Sequence, residues 1–301
     1  MNNEPKSFNN YAEDRVSLES ALQDIMTFEQ YREIRHPTPY IYDLEANGKE
    51  LKYFGTRHIK HDTKPDDPAL SQIKEAFDEM KPDCVFVEGI HGETGAIKER
   101  VKGYSYQDII GRAGEAGFFL KLAVDNGVDW QCPEPSHQEI YEHLLGMGFS
   151  REEIFAHDIL LSLPQYLRGQ QHRDGFEKYS QGYIDHFKTV TGWEDFDYSY
   201  NHGVEIIEQI LGRPLDVENQ AGASEKYFVN LTKPMESEDK RTILTQIGEE
   251  TSMFRDRKIV SNIAKALETY DRVFVVYGAS HAVKQEPALR TLFALEENTW
   301  D

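Results

Sequence analysis

Three apolar runs of this chain each end on a titratable side chain, and that pattern constrains the fold more than any other feature. Tyr53-Phe54-Gly55-Thr56-Arg57-His58 leaves a strand-like run through Gly-x-x-His, and Val273-Phe274-Val275-Val276-Tyr277-Gly278-Ala279-Ser280-His281 does so again near the other end of the sequence. Between them, Cys84-Val85-Phe86-Val87 runs into Glu88-Gly89. In open parallel sheets ligands bind in the crevice at the carboxyl ends of the strands. Two imidazoles and a carboxylate delivered to such a rim are the raw material of a hydrolytic or metal site. The motif-bearing runs lie far apart in sequence and must meet, which favours one large α/β domain over two ordinary ones.

Composition narrows the partners. Of the 301 residues, 39% are hydrophobic and 29% charged, a globular balance that can bury a substantial core. The formal charge of −20 argues against nucleic acid or an anionic membrane surface. No run approaches the ~20 apolar residues of a membrane span, and Met1-Asn2-Asn3-Glu4-Pro5 has no signal-peptide character. A soluble, cytoplasmic protein is expected. Cys84 and Cys132 are too few for a disulfide scaffold or a four-cysteine zinc site, and both read as buried thiols beside strands.

Along the chain, residues 1–37 read as a polar tail followed by a helix over 17–32, on a stripe of Leu18, Leu22, Ile25, Met26 and Phe28. Residues 38–135 form the first part of the α/β core. There Tyr40–Leu44 and Leu51–Phe54 predict a hairpin whose loop, containing Asn47-Gly48, is somewhat longer than a two-residue turn. Asp67-Pro68 starts a helix that Lys81-Pro82-Asp83 stops, Tyr106–Asn126 is a second helix ended by Gly127, and Val128–Cys132 is a short strand. Residues 136–237 carry helical signals, including the capping box Ser150-Arg151-Glu152-Glu153, and read as a helical insertion or cap over the strand-end pocket. Residues 238–301 return to the core through a long helix over 240–270, with room for one break, and a last strand Val273–Tyr277. Strand and helix alternate as in a layered α/β domain.

The glycine after each strand lets the backbone turn so that a histidine three residues on folds back over the sheet edge. One such histidine is ordinarily a surface or core residue, but two with matched spacing support each other. Glu88 lies where strand meets loop; apolar surroundings suit it to a general base, and a cation suits it to a ligand. Glu134, between Pro133 and Pro135, is a weaker case of the same kind. On the long helix, the row Ile247, Thr251, Arg255, Ile259, Ile263, Leu267 is apolar apart from Thr251 and Arg255, so that guanidinium needs a carboxylate or anionic partner. Asp256 and Arg257 read as a solvated helix face, and surface salt-bridging is the default for Glu115.

Together, Gly55-Thr56-Arg57-His58, Val87-Glu88-Gly89, Glu115 in Ala113-Gly114-Glu115-Ala116, Phe254-Arg255-Asp256-Arg257 and Gly278-Ala279-Ser280-His281 resemble the TraB/Tiki superfamily. That grouping also takes in erythromycin-esterase-like and ChaN-like proteins. The resemblance covers roughly Tyr53 to Trp130 and Met253 to Leu292 and leaves the helical block unmatched. It implies an EreA/ChaN-like fold, a central mixed or mostly parallel sheet flanked by helices, with the histidines, glutamates and arginine converging on one pocket.

By that resemblance the chain is expected to be a metal-dependent, protease-like hydrolase cleaving a peptide or small-molecule ester. His58, Glu88 and His281 would hold manganese or cobalt, or else zinc, Glu115 would transfer protons and Arg255 would stabilise an oxyanion. A metal-independent esterase and a haem- or ligand-binding module without turnover are the alternatives. For the module, Tyr166, Tyr179, Tyr183, Trp193, Tyr198 and Tyr200 would wall the ligand, although such aromatics are more often core. A protein-interaction domain with a vestigial rim is a third possibility. The chain departs from the family in lacking the Tiki membrane anchor, and in offering only Glu134 where an acid often follows the fourth strand.

Overall fold

The computed structural model describes residues 18–59, 62–92, 94–168, 174–215, 217 and 241–297. The polar first ten residues, the helix start at Ser17, the stretch 218–237 of the helical block and the position Lys240 lie outside these. The chain forms two compact units, Met1–Glu134 with Asp256–Asp301, and Pro135–Arg255. The boundary therefore falls inside the helix Ile243–Thr269 rather than near 237. The first turns of that helix, through Leu244 and Ile247, join the apolar core of the second unit. The helix runs without the break its sequence allowed.

The first unit is built on a mixed sheet of five strands: β1 (Tyr40–Ala46), β2 (Lys49–Thr56), β3 (Cys84–Val87), β4 (Asp129–Gln131) and β5 (Arg272–Gly278). Their order is β1-β2-β5-β3-β4, antiparallel only between β1 and β2. The β1–β2 connection is tighter than its sequence suggested. Asn47 and Gly48 alone form it, with φ of 51° and 77°, the left-handed pair that matches the twist of a two-residue hairpin. The expected single helix before β1 is also interrupted. Thr27 caps a separate short helix, Phe28–Arg32, by exchanging hydrogen bonds with Gln30.

Alternation along the strands divides the unit into two layers. Phe54, Val85, Val87, Phe274 and Val276 face the helices Pro68–Met80 and Tyr106–Asn126, whose Ile73, Phe77, Phe119 and Leu120 complete that core. The first of these helices starts as expected, Asp67 Oδ1 accepting from the Ala69 N–H ahead of it. On the other face, Tyr53 donates to Gln285 Oε1 at 2.9 Å and Tyr42 to the Ala282 carbonyl, both residues lying on the helix Ala279–Glu297.

The register sets Thr56 opposite Gly278 and Val87 opposite Val276. The three motif strands are therefore consecutive neighbours with their carboxyl ends at one rim. Fourth along that rim is β4, paired with β3 through Phe86 and Gln131.

The second unit is helical, with no strand among its described residues. Its helices are His137–Gly146, Arg151–Arg168, Gly175–Thr191, Tyr200–Leu211 and the start of Ile243–Thr269. They enclose Phe155, Ile159, Leu160, Phe176, Phe187 and Ile207. The capping box at Ser150 forms, its N–H donating to Glu153 Oε2 and its Oγ accepting from the Glu153 N–H. Tyr166, Tyr179, Trp193, Tyr198 and Tyr200 pack as partly buried rings against this core.

Candidate active site

The two Gly-x-x-His motifs reach the rim differently. His58 follows β2 in irregular chain, whereas His281 lies in the first turn of the helix that begins at Ala279. Neither glycine has a positive φ, so a sharp left-handed turn is not what fixes them. Close approach is. A Cβ on Gly55 would stand 2.8 Å from both the Ala282 Cβ and the Tyr40 carbonyl oxygen, where strand meets helix. A Cβ on Gly278 would meet His58 Nε2 at 3.3 Å and Glu88 Oε2 at 3.8 Å. Gly278 is thus the floor on which His58 and Glu88 come together, and its N–H donates to Glu88 Oε2 at 2.9 Å.

Glu115 is not a surface residue. The Tyr106–Asn126 helix is broken at Ala113 and Gly114, the latter at φ 55°, ψ −139°, a conformation that glycine adopts freely and other residues resist. The break starts a new helical segment at Glu115 and turns its side chain inward, where it is 7% exposed. Its Oε1 takes the His58 Nδ1 hydrogen at 2.8 Å and the Thr56 hydroxyl hydrogen at 3.1 Å, while Oε2 accepts from the Ile59 N–H at 3.1 Å. Burial works against its ionisation. The hydrogen bonds from His58 and Ile59 outweigh burial and hold the carboxyl below its usual range. An ionised carboxylate only accepts, so His58 Nδ1 carries the hydrogen, and whenever the ring is neutral its lone pair lies on Nε2.

His281 is anchored separately. Its Nδ1 lies 2.6 Å from Asp256 Oδ1. Asp256 also accepts from Lys284 Nζ and, at 2.7 Å, from Gln285 Nε2. Desolvation pushes the Asp256 carboxyl up, but the charges of His281 and Lys284 and their hydrogen bonds hold it far below the usual carboxylate range. Through Gln285 the network continues to the Tyr53 hydroxyl under the sheet. The expectation that Asp256 belongs to a solvated face is therefore corrected: it is fully buried. Its neighbour Arg255 is partly exposed and is the last residue of the helical unit.

Two of the expected residues, His58 and Glu88, gather at Gly278, and Glu115 holds the first of them. His281 is secured from the opposite face of the sheet, by the helices that cover Tyr53 rather than Phe54. Among the described residues, the set of His, Cys, Asp or Glu whose donor atoms all lie within 4.8 Å is a different one, His91, Cys132 and Glu134, which can hold a metal ion. It occupies the exits of β3 and β4 on the same rim. Cys132 and, after it, Glu134 hold the His91 imidazole well above its usual range, against the effect of burial. No helix among the described residues is long and apolar enough to cross a membrane.

No protein family, characterised protein or solved structure matches this chain. The geometry of the rim has to carry the functional argument by itself.

Proposed function

We propose that the chain is a hydrolase of peptide or ester bonds in which His58, held by Glu115, activates water at the carboxyl rim of the sheet. The observation that carries this reading is the 2.8 Å contact between His58 Nδ1 and a buried, ionised Glu115. It fixes the tautomer and aims a basic Nε2 into the space over Gly278, next to Glu88. In the proposed step Nε2 takes a proton from water as the oxygen attacks the substrate carbonyl, and Glu115 stabilises the imidazolium that forms. The same proton then passes to the leaving alcohol or amine. Glu88, tied through Oε2 to the Gly278 amide, orients the attacking water.

The metal-dependent form of this reading, with manganese, cobalt or zinc on His58, Glu88 and His281, has the two Nδ1–carboxylate contacts in its favour. Metal-binding imidazoles commonly donate their other N–H in this way. Against it stands the spacing of those three residues, which are not the set gathered to ligand distance. When bound, such an ion would supply water with a lowered pKa.

The test is hydrolysis of ester and peptide libraries by wild type, His58→Ala and Glu115→Gln, each with and without chelator. Turnover that survives chelation, vanishes in His58→Ala and falls by ~10²–10⁴-fold in Glu115→Gln supports the reading. Loss on chelation with recovery on added manganese or cobalt selects the metal-dependent form. Full activity in His58→Ala, or no turnover of any library member, overturns the proposal.

A further inference from the structure

We propose that His91, Cys132 and Glu134 form a zinc site with one coordination position open, separate from the His58 centre. The three residues come from two adjacent strand exits. His91 follows β3 between Gly89 and Gly92, which take φ of 71° and 130°. Cys132 and Glu134 follow β4 two residues apart, on either side of Pro133. The segment carrying them is fixed, because the Pro133 carbonyl accepts from Asn262 Nδ2 at 2.8 Å. The Glu134 side chain is only 8% exposed, while that of His91 is 47% exposed and has room to adjust.

Zinc holds thiolate sulfur at about 2.3 Å and imidazole nitrogen or carboxylate oxygen at about 2.0–2.1 Å, so tetrahedral edges come to about 3.6 Å for S to N and about 3.4 Å for N to O. In the structure Cys132 Sγ is 3.9 Å from His91 Nε2, and Glu134 Oε2 is 3.5 Å from the same nitrogen. Both separations are close to those edges, and because Sγ also lies 3.8 Å from Nδ1, binding needs the exposed His91 ring to turn so that Nε2 faces the ion. Sγ lies 3.8 Å from Nδ1 and 3.9 Å from Nε2. A sulfur on the lone-pair axis of one ring nitrogen would stand much further from the other, so a thiol–imidazole pair needs the same turn of the ring.

Donor type selects the ion. A thiolate beside an imidazole and one carboxylate favours zinc over magnesium, calcium or manganese. Three protein ligands leave the fourth position to water or another small ligand, as in zinc sites that are not closed. Binding releases the thiol proton of Cys132 and any proton on His91.

Cobalt substitution provides the test on the full chain. Apo protein titrated with cobalt is expected to develop a sulfur-to-cobalt charge-transfer band at one equivalent, which zinc abolishes and excess manganese does not. The band should survive in Cys84→Ser and in the His58→Ala, His281→Ala double variant, so failure of the hydrolase reading leaves this result intact. It should disappear in Cys132→Ser. Loss of an outer-shell partner alone costs 10–100-fold in metal affinity, so Cys132→Ser and the exposed-site variant His91→Ala should each weaken zinc by about a hundredfold or more. A band that persists in Cys132→Ser, cobalt bound without a band, or unchanged zinc affinity in both variants overturns the proposal.

Discussion

Replacing Asp256 by Asn removes one buried charge without changing shape. Asp256 is 0% exposed and Lys284 1%. The lysine ammonium donates to Asp256 Oδ2 and lies 4.4 Å from the centre of the Phe28 ring. Without the carboxylate, that ammonium loses the buried charge that compensates it. Breaking a buried pair by removing one partner costs about 3–5 kcal/mol, mostly through the charge left behind. With a urea m-value of about 2 kcal/mol/M, the midpoint of the first unit should fall by about 2 M.

Trp130 belongs to that unit and is 6% exposed, so its fluorescence is the reporter, in a background where Trp193 and Trp300 are Phe. The decisive comparison is Asp256→Asn with Lys284→Met added. Removing the ammonium should restore at least half of the lost stability, because methionine keeps the apolar stem against Phe28 and the buried positive charge is gone. A midpoint shift below about 0.5 M in the single variant, worth about 1 kcal/mol, would refute the reasoning. So would losses that simply add in the double variant.

Gly278→Ala should separate stability from turnover. The new Cβ presses on the exposed end of His58 at 3.3 Å, so stability should change by less than about 1 kcal/mol, while displaced Nε2 geometry lowers kcat/KM about a hundredfold in the library assay. His157 in the helical unit is 4% exposed, and burial depresses its pKa from 6.5 to about 4. Its neutral form contributes stability that is complete above pH 6.5 and is lost as pH falls through 4. Denaturation followed through Trp193 should show wild type losing about 3 kcal/mol more than His157→Leu between pH 7 and pH 4. The opposing titration of Asp158, raised to about 6 by burial, is common to both proteins. Equal slopes would show that His157 titrates as it does in the unfolded chain.

The rim was legible because it depends on strand ends, and strand ends were marked by apolar runs broken at Gly or Glu. Glu115 was harder for a definable reason. A helical wheel assumes one continuous helix, and the break at Ala113-Gly114 rotates everything after it, so the wheel leaves Glu115 ambiguous, with surface salt-bridging as its default. The signal was present in Gly114 itself, since a glycine within a helix costs about 1 kcal/mol relative to alanine and is retained for a reason.

Asp256 shows a different failure. Between Arg255 and Arg257 it looks solvated, and nothing local says otherwise. The demand for it is written on the next helix, where His281, Lys284 and Gln285 recur at i, i+3 and i+4 and so share one face. An imidazole, an ammonium and an amide on a face that must cover a sheet need a buried acid, and Asp256 is the acid that meets all three. The stripe that singles out Arg255 lies one residue away from the charge that matters. Apolar rows report which face is inward, but an inward polar residue is identified only by the partner that satisfies it, and that partner is nonlocal. His91, Cys132 and Glu134 follow the same logic, since no spacing rule links position 91 to position 132. Strand order alone, placing β3 beside β4, brings them to one point, and a chain with those strands separated by β5 would have no such group.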